Sequence, residues 1–363
     1  MPAPIRPGFR DAHVFRAPGD STPVDQVRLG GYLAGVGLSL DETEPIRQFG
    51  TGLANINYRL TAGGRRLVLR RPPDGDLPPG AHDMAREHRI LSRLWQALPL
   101  APECVHLCED KSVIGVPFQL IEYRPGLVIK GDDSSHFTGR PDAAAKTGHM
   151  LVETLVAIHR VKVASVGLED LGKPEGFVAR GIRGWRGRAE RLAPAGATGR
   201  LCREIGDWLG TQSVCERPPV LLHSDFKLDN LIVDPETLSP RAIVDWDMGT
   251  RGDPLFDLAT MLSYWVEPGD PPCMHDMKQM PTAAVGFQSR AEIAAAYACL
   301  TGTDISDFPV FRVLAMYKLA VVLLQLHALW QRGAAKGDDY AHFDNIATGL
   351  LEFTHDVMLG RAN

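Results

Sequence analysis

One stretch, Leu221 to Asp247 (LLHSDFKLDNLIVDPETLSPRAIVDWD), limits what this chain can fold into more than any other. Two short apolar runs bounded by polar residues read as two strands. The first delivers His223, Asp225 and Asn230 into a short loop, and the second, AIVDW, delivers Asp245. Two strands therefore present carboxylates and an amide together. Phosphoryl transfer asks for such a set: a carboxylate near the acceptor hydroxyl, and hard oxygen ligands for the cation that neutralises the nucleotide phosphates. Asp and Asn are also favoured turn formers, so a plain polar turn is the alternative. A turn, however, needs neither His, Asp and Asn at these intervals nor a second strand ending in Asp-Trp-Asp.

Around this segment the chain changes character. Before it, VDQVRLGGYLAGV has helical spacing, PIRQFGTGLANINYRLTAGGRRLVLRRPP reads as two strands bracketing glycine-rich turns, MAREHRILSRLWQAL as an amphipathic helix, and VPFQLIEYRPG as a buried strand. Beyond Gly126 long helical patterns dominate: AAAKTGHMLVETLVAIHRV, EIAAAYACLTG and VFRVLAMYKLAVVLLQLHALWQRG. The last is apolar enough to raise a membrane span, but Lys318, Gln325 and His327 interrupt it, and a buried core helix fits better. Residues 1–23 are rich in Pro, Gly and Arg without apolar periodicity and read as an N-terminal arm.

His223-Ser-Asp225-Phe-Lys227-Leu-Asp-Asn230, followed by Ile-Val-Asp245-Trp-Asp247, resembles the H-x-D-x-x-x-x-N catalytic loop and metal-binding strand end of the aminoglycoside phosphotransferase and choline kinase superfamily. The resemblance implies an α+β, protein-kinase-like two-lobed fold. After the arm, a small mixed N-lobe with an antiparallel sheet spans 24–123 and a larger, mainly helical C-lobe spans 124–363. It implies ATP and Mg2+ as cofactors, Asp225 as catalytic base or hydroxyl-orienting group, and Asn230 and Asp245 as magnesium ligands. Lys227 stands where kinases place a lysine near the transferred phosphate, where it offsets developing negative charge. Asp247 either assists with metal or caps the following loop. Asp257, in GDPLFDLA, reads as structural support that accepts backbone N–H bonds and locks the loop, and Asp253 before Pro254 as a helix cap.

A kinase also needs a glycine-rich turn, a cation on the next strand and a helix carboxylate to pair with it. Gly50, Gly52 and Asn55 in GTGLANINY supply the turn, Arg70 in VLR the cation, and Glu87 in AREHRIL the partner. An ordinary hairpin and an ordinary surface ion pair are the competing readings. Arg71 falls on the opposite face of the strand from Arg70. Most kinases use lysine at this place, and arginine is a planar fork where lysine is a point charge. Glu122 and Tyr123 fall at the expected hinge, whose backbone groups would meet adenine.

The segments VGLEDLGKPEGFVARGIRGWRGRAERL and SRAEIAAAYACLTGTDISDF further resemble the phosphotransferase domains associated with acyl-CoA dehydrogenases, with similarity from about Ile46 to Gly333. Those domains also tend to carry V-L-R, and the acceptor they imply is a small hydroxylated acyl compound such as a 4-hydroxyacyl-CoA. Arg180 and Trp185 line the acceptor side on that view; a solvated arginine-rich face is the alternative. Aminoglycosides are polycations that need acidic walls, and no acidic cluster stands out, so antibiotic resistance is a minority reading. A catalytically silent nucleotide- or acyl-binding module also stays open, because of Arg70.

Composition closes other classes. A net charge of -5 argues against nucleic acid as the main partner, since backbone binding needs clustered cations. No uninterrupted apolar run argues for a membrane role. The six cysteines, among them Cys104 and Cys108, contain no CxxC pair and read as structural thiols; with no basic-then-apolar leader, the expected compartment is the cytoplasm.

Overall fold

Residues 15–50, 55–73, 83–192, 194–334 and 337–362 are described by the computed structural model. They fall into two units. The first takes its residues from Met1–Val128, Lys162–Glu169 and Asn230–Gly249; the second from Ile129–Val161, Asp170–Asp229 and Thr250–Asn363. The chain thus passes from the second unit into the first inside the HSDFKLDN motif, between Asp229 and Asn230.

The first unit is built on a five-stranded sheet in the order β1-β2-β3-β5-β4, antiparallel throughout. Its elements are α1 (Gln26–Gly35), β1 (Arg47–Gln48), β2 (Ile56–Ala62), β3 (Arg65–Arg71), α2 (Met84–Leu94), β4 (Cys104–Cys108) and β5 (Phe118–Glu122). The glycine-rich stretch thus holds three strands where the pattern reads as two: β1 is an edge strand of two residues, too short to show alternation. Gly63 and Gly64 turn β2 into β3 with φ of +57° and +71°, the two consecutive left-handed residues that a tight hairpin turn demands. Along β3, Leu67 and Leu69 point into a core with Leu29 and Leu33 of α1, Tyr58, Leu60, Phe118 and Leu120. Each fully buried leucine contributes roughly 1.5–3 kcal/mol. Strand alternation sends Arg70 to the other face, where α2 begins. Asp83 caps α2 by accepting from the Arg86 N–H at 2.9 Å, and the helix buries Glu87, Ile90, Leu91 and Leu94. The thiols of Cys104 and Cys108 are buried in β4, and burial pushes the Cys104 thiol well up.

The same unit holds the hairpin of Leu231–Val233 with Pro240–Ile243, in which Leu231 pairs with Ile243. Its turn is shaped by Asp234, whose carboxylate accepts from the N–H groups of Glu236 and Thr237, both at 2.9 Å. Reciprocal bonds of 2.8 Å between Leu127 and Val233, and another of 2.8 Å from Ile243 N–H to the Leu100 carbonyl, anchor it. Gly126 is required beside it: a Cβ there would collide with the Ile232 side chain and lie 2.7 Å from the Val233 carbonyl oxygen.

The second unit is mainly helical: α3 (Pro141–His159), α4 (Phe177–Leu192), α5 (Gly196–Thr211), α6 (Pro254–Ser263), α7 (Pro272–Asp276), α8 (Arg290–Thr301), α9 (Phe308–Gln331) and α10 (Phe343–Met358). A short antiparallel ladder joins Val220–Leu222 to Thr250–Gly252, with Val220 opposite Gly252. Helix α6 is buried along its whole length and starts on Asp253, which accepts from the Leu255 N–H at 2.9 Å ahead of Pro254. Among the described residues α9 is the helix long and apolar enough to cross a bilayer. Here it packs against α6 and α10, with Phe311, Leu314, Ala320 and Val321 fully buried, as a core helix does.

Candidate active site

In the first unit the strand β3, the helix α2 and the chain after Ile243 bring four predicted or flagged residues together. Arg70 Nε lies 2.8 Å from Glu87 Oε2, Arg70 Nη2 donates to Asp245 Oδ1, and Asp247 Oδ2 is 4.0 Å from the same nitrogen. With side chains only 9% and 1% exposed, Arg70 and Glu87 form a buried ion pair, which removes the surface-pair alternative. Glu87 also accepts from the Trp246 N–H at 3.1 Å and from the Gln119 side-chain amide. Burial pushes the Glu87 carboxyl up, and the Arg70 guanidinium offsets only part of that. Burial works against the Arg70 charge, but Asp245, Glu87 and Asp247 outweigh it and hold the guanidinium protonated. A planar fork suits this position, since two of its nitrogens reach two different carboxylates at once.

Asp245 itself has φ +67°, a left-handed conformation that non-glycine residues rarely adopt and that concentrates at functional sites. It is held there by the Trp246 N–H on Glu87 and by the indole N–H of fully buried Trp246, which donates to the Ile243 carbonyl at 2.9 Å. The Val244 N–H bonds the Asn230 carbonyl at 2.9 Å, continuing the hairpin ladder, so Asn230 and Asp245 sit at the same end of it.

Asn55 is 5% exposed, and neither atom of its side-chain amide has a hydrogen-bond partner among the described residues; nor does Asn57 Oδ1. Unpaired buried amides of this kind are costly in a finished fold. Gly50 is exposed, and Gly52 lies outside the described residues. At the expected hinge, the Glu122 N–H bonds the Glu103 carbonyl at 2.8 Å and the Tyr123 N–H bonds the Arg66 carbonyl at 3.1 Å, so both amides are committed within the unit. The Glu122 carboxylate pairs with Arg124 at 2.9 Å.

In the second unit the strand Val220–Leu222 leads into His223, Ser224 and Asp225. Asp257 of α6, fully buried, accepts from the His223 N–H and the Ser224 N–H, each at 2.7 Å. This is the locking role read for Asp257 from its place in GDPLFDLA. The Tyr297 hydroxyl and His159 Nδ1 are 2.7 Å apart, and His159 Nε2 lies 3.5 Å from Asp257, which places buried polar side chains behind that carboxylate. Asp225 Oδ1 accepts from the Tyr264 hydroxyl at 2.7 Å. Lys227 Nζ lies 3.8 Å from Asp225 Oδ2 and 3.6 Å from Asp229 Oδ2, donates to Gln279 at 3.0 Å and sits 4.8 Å from the Tyr264 ring centre. Lys227 is therefore a cation placed next to the carboxylate named as base.

On α4, the Arg180 guanidinium donates to the Glu175 and Lys173 carbonyls, and Arg188 lies over the Trp185 ring at 4.4 Å. Arg183 and Arg186 line a cavity of about 630 Å³ with Phe177, Leu209 and Gly252. Because Gly252 pairs with Val220, this cavity meets the ladder at the end away from His223. Tyr264, Lys318, His159 and Gln279 were not legible as site residues. Lys318 alone left a signal, as the cation inside an apolar run.

A family model described as the phosphotransferase enzyme family (APH) matches residues 45–296. The chain belongs to this family. This phosphotransferase chain is 30% identical over 339 residues to acyl-CoA dehydrogenase family member 10 of Mus musculus, covering 92% of this chain and 31% of that protein. It is 28% identical over 320 residues to member 11 of Gallus gallus, covering 85% and 39%. The phosphotransferase chain thus spans about a third to two fifths of the length of these relatives. A thiamine kinase of Escherichia coli is 26% identical over 228 residues, covering 62% and 68%. Among solved structures, a candidate aminoglycoside phosphotransferase of Ralstonia eutropha superposes with TM-score 0.71 at 23% identity, covering 92% of this chain and 99% of that one. The aminoglycoside phosphotransferase APH(4)-Ia in a ternary complex with AMP-PNP and hygromycin B gives 0.56 at 15%, covering 89% and 98%. The kinase-like two-lobed fold read from the motif is the fold found.

Proposed function

We propose that this phosphotransferase transfers the γ-phosphoryl group of ATP, with magnesium, to the hydroxyl of a small molecule, and that the acceptor class is a hydroxyacyl-CoA. The observation that carries the reading is the buried Arg70–Glu87 pair. A buried ion pair is weak evidence for stability alone, because desolvation costs about as much as the attraction returns. Its occurrence at the strand cation and helix carboxylate that the kinase resemblance implies gives it a purpose.

The donor set fits magnesium. Asn230 and Asp245 offer hard oxygens from one end of a single hairpin, and magnesium commonly takes one or two carboxylates and completes its shell with phosphate and water. Bound there, it would neutralise charge on the nucleotide phosphates. The chain's own residues take the remaining roles. Asp225 orients the acceptor hydroxyl and receives its proton, Lys227 offsets negative charge beside it, Arg70 grips phosphate oxygens, and the Asn55 amide, without a partner among the described residues, supplies donors in the glycine-rich turn. The acyl-CoA class is supported by the likeness to the two acyl-CoA dehydrogenase family members.

A second reading, a nucleotide- or acyl-binding module without turnover, is favoured by one observation: Arg70 holds the Asp245 carboxylate that would serve magnesium. ATP consumption with and without magnesium, against hydroxyacyl-CoAs, choline, thiamine, homoserine, sugars and aminoglycosides, separates the two. Expected are magnesium-dependent turnover with a hydroxyacyl-CoA, loss by several orders of magnitude in Asp225→Asn, and a flattened magnesium titration in Asp245→Ala. ATP binding with no acceptor turned over establishes the second reading, and turnover confined to another acceptor overturns the acyl-CoA assignment.

A further inference from the structure

We propose that Tyr264 and Lys318, neither of them in the HSDFKLDN motif, are positioning residues that set the Asp225 carboxylate and its distance from Lys227; this rests on the phosphotransferase reading above. The loop is gripped at both backbone polar groups of Ser224. Ser224 has φ +68°, a conformation that an L-residue keeps only when its surroundings over-determine it. Its N–H is taken by Asp257 at 2.7 Å, and its carbonyl accepts from Lys318 Nζ at 2.8 Å. That carbonyl begins the peptide bond that leads into Asp225, so the Lys318 ammonium fixes the plane from which the carboxylate departs.

Lys318 is an expensive residue for this place. It is 7% exposed in the long apolar helix α9, with its ammonium 5.1 Å from the centre of the Phe256 ring. Burial pulls its pKa down, Asp225 and Asp257 pull it up, and Lys227 opposes them. A methionine would pack there at less cost in desolvation. What the lysine adds is a donor to Ser224.

Tyr264 acts at the other end of the residue. It stands just past the C-terminus of α6, 8% exposed, and its hydroxyl donates to Asp225 Oδ1 while its ring lies under Lys227 Nζ. Burial, and then the neighbouring Asp225 charge, push the phenol well above its usual range, so it remains a donor. One side chain thereby touches both the carboxylate and the cation, and keeps Asp225 Oδ2 and Lys227 Nζ at 3.8 Å.

Tyr264→Phe removes a single oxygen from a packed ring. Steady-state kinetics are expected to show kcat lowered about 10- to 100-fold with the KM for ATP within about twofold, the pattern of misplaced reacting groups rather than lost binding. Lys318→Met is expected to lower kcat at least as far. Hydrogen–deuterium exchange over residues 223–227 is read in the same proteins and needs no turnover: faster exchange in both variants, with the unfolding midpoint of Tyr264→Phe unchanged, supports the inference. Wild-type kcat in Tyr264→Phe, or unchanged exchange in both variants, overturns it. If the wild-type chain turns over no acceptor, the phosphotransferase reading falls, and the exchange data alone decide whether these residues hold the loop.

Discussion

Removing the Asp257 carboxylate should be among the most damaging single changes in the second unit. Asp257 is fully buried and accepts two backbone N–H groups at 2.7 Å each. Hydrogen bonds to a charged group contribute roughly 1.5–3 kcal/mol apiece, and a buried N–H left unpaired costs a similar amount. Asp257→Ala strands both amides and opens a small void, for a loss of about 3–6 kcal/mol, against a total stability of about 5–15 kcal/mol for a typical domain. Asp257→Asn keeps one acceptor oxygen but turns an NH2 toward the other amide, so about half of that loss is expected. The change also takes away one of the carboxylates that sustain the Lys318 charge, so part of the damage travels to Ser224. Urea unfolding followed by the fluorescence of Trp265, fully buried in this unit, measures the loss, and amide exchange at His223 and Ser224 localises it. An Asp257→Ala protein within about 1 kcal/mol of wild type, with those amides still protected, would refute the reasoning, because charged acceptance from two buried donors cannot be that cheap to remove.

Arg70→Met leaves Glu87 buried without its nearest counter-charge, and a loss of about 3–5 kcal/mol in thermal or urea unfolding is expected. Arg70→Lys keeps the charge but reaches one carboxylate instead of two, so a smaller loss is expected, with a weaker hold on Asp245 read from the magnesium dependence of ATP turnover. Lys318 makes stability depend on alkaline pH. Its folded pKa is below the ordinary value of 10.5, so the native state releases this proton before the unfolded chain does, and stability rises as pH climbs from the folded value to 10.5. Urea midpoints measured from neutral pH to pH of about 10 should show that upward contribution in wild type and its absence in Lys318→Met. Equal slopes in the two proteins would show that the ammonium is not held in a desolvated site.

Local pattern carried much of this protein. The apolar runs on either side of HSDFKLDN made the strands, and the intervals between His223, Asp225, Asn230 and Asp245 made the family legible before any packing was known. Strand alternation put Arg70 and Arg71 on opposite faces, and the lone position of Glu87 near the start of an amphipathic helix marked it as the partner. These inferences succeed because a period of two or of 3.6 residues is a property of neighbouring residues and survives in the sequence. The edge strand Arg47–Gln48 and the strand Cys104–Cys108 escaped, since one is too short and the other too irregular, with a register shift between Cys104 and His106, to show a period.

What only the tertiary structure decided is how each functional group is held. Tyr264 is 39 residues from Asp225, Lys318 is 94 from Ser224, and Tyr297 is 138 from His159. No spacing rule joins such pairs. In the sequence Lys318 is a blemish in an apolar run and Tyr264 an ordinary aromatic; once α6 packs beside the strand Val220–Leu222 and α9 packs on α6, each becomes a donor aimed at the HSDFKLDN loop. The residue types of the candidate site stand at local intervals in the sequence. Its rigidity comes from distant side chains that the core alone could bring within hydrogen-bond reach, because burial leaves a polar group no other way to be satisfied.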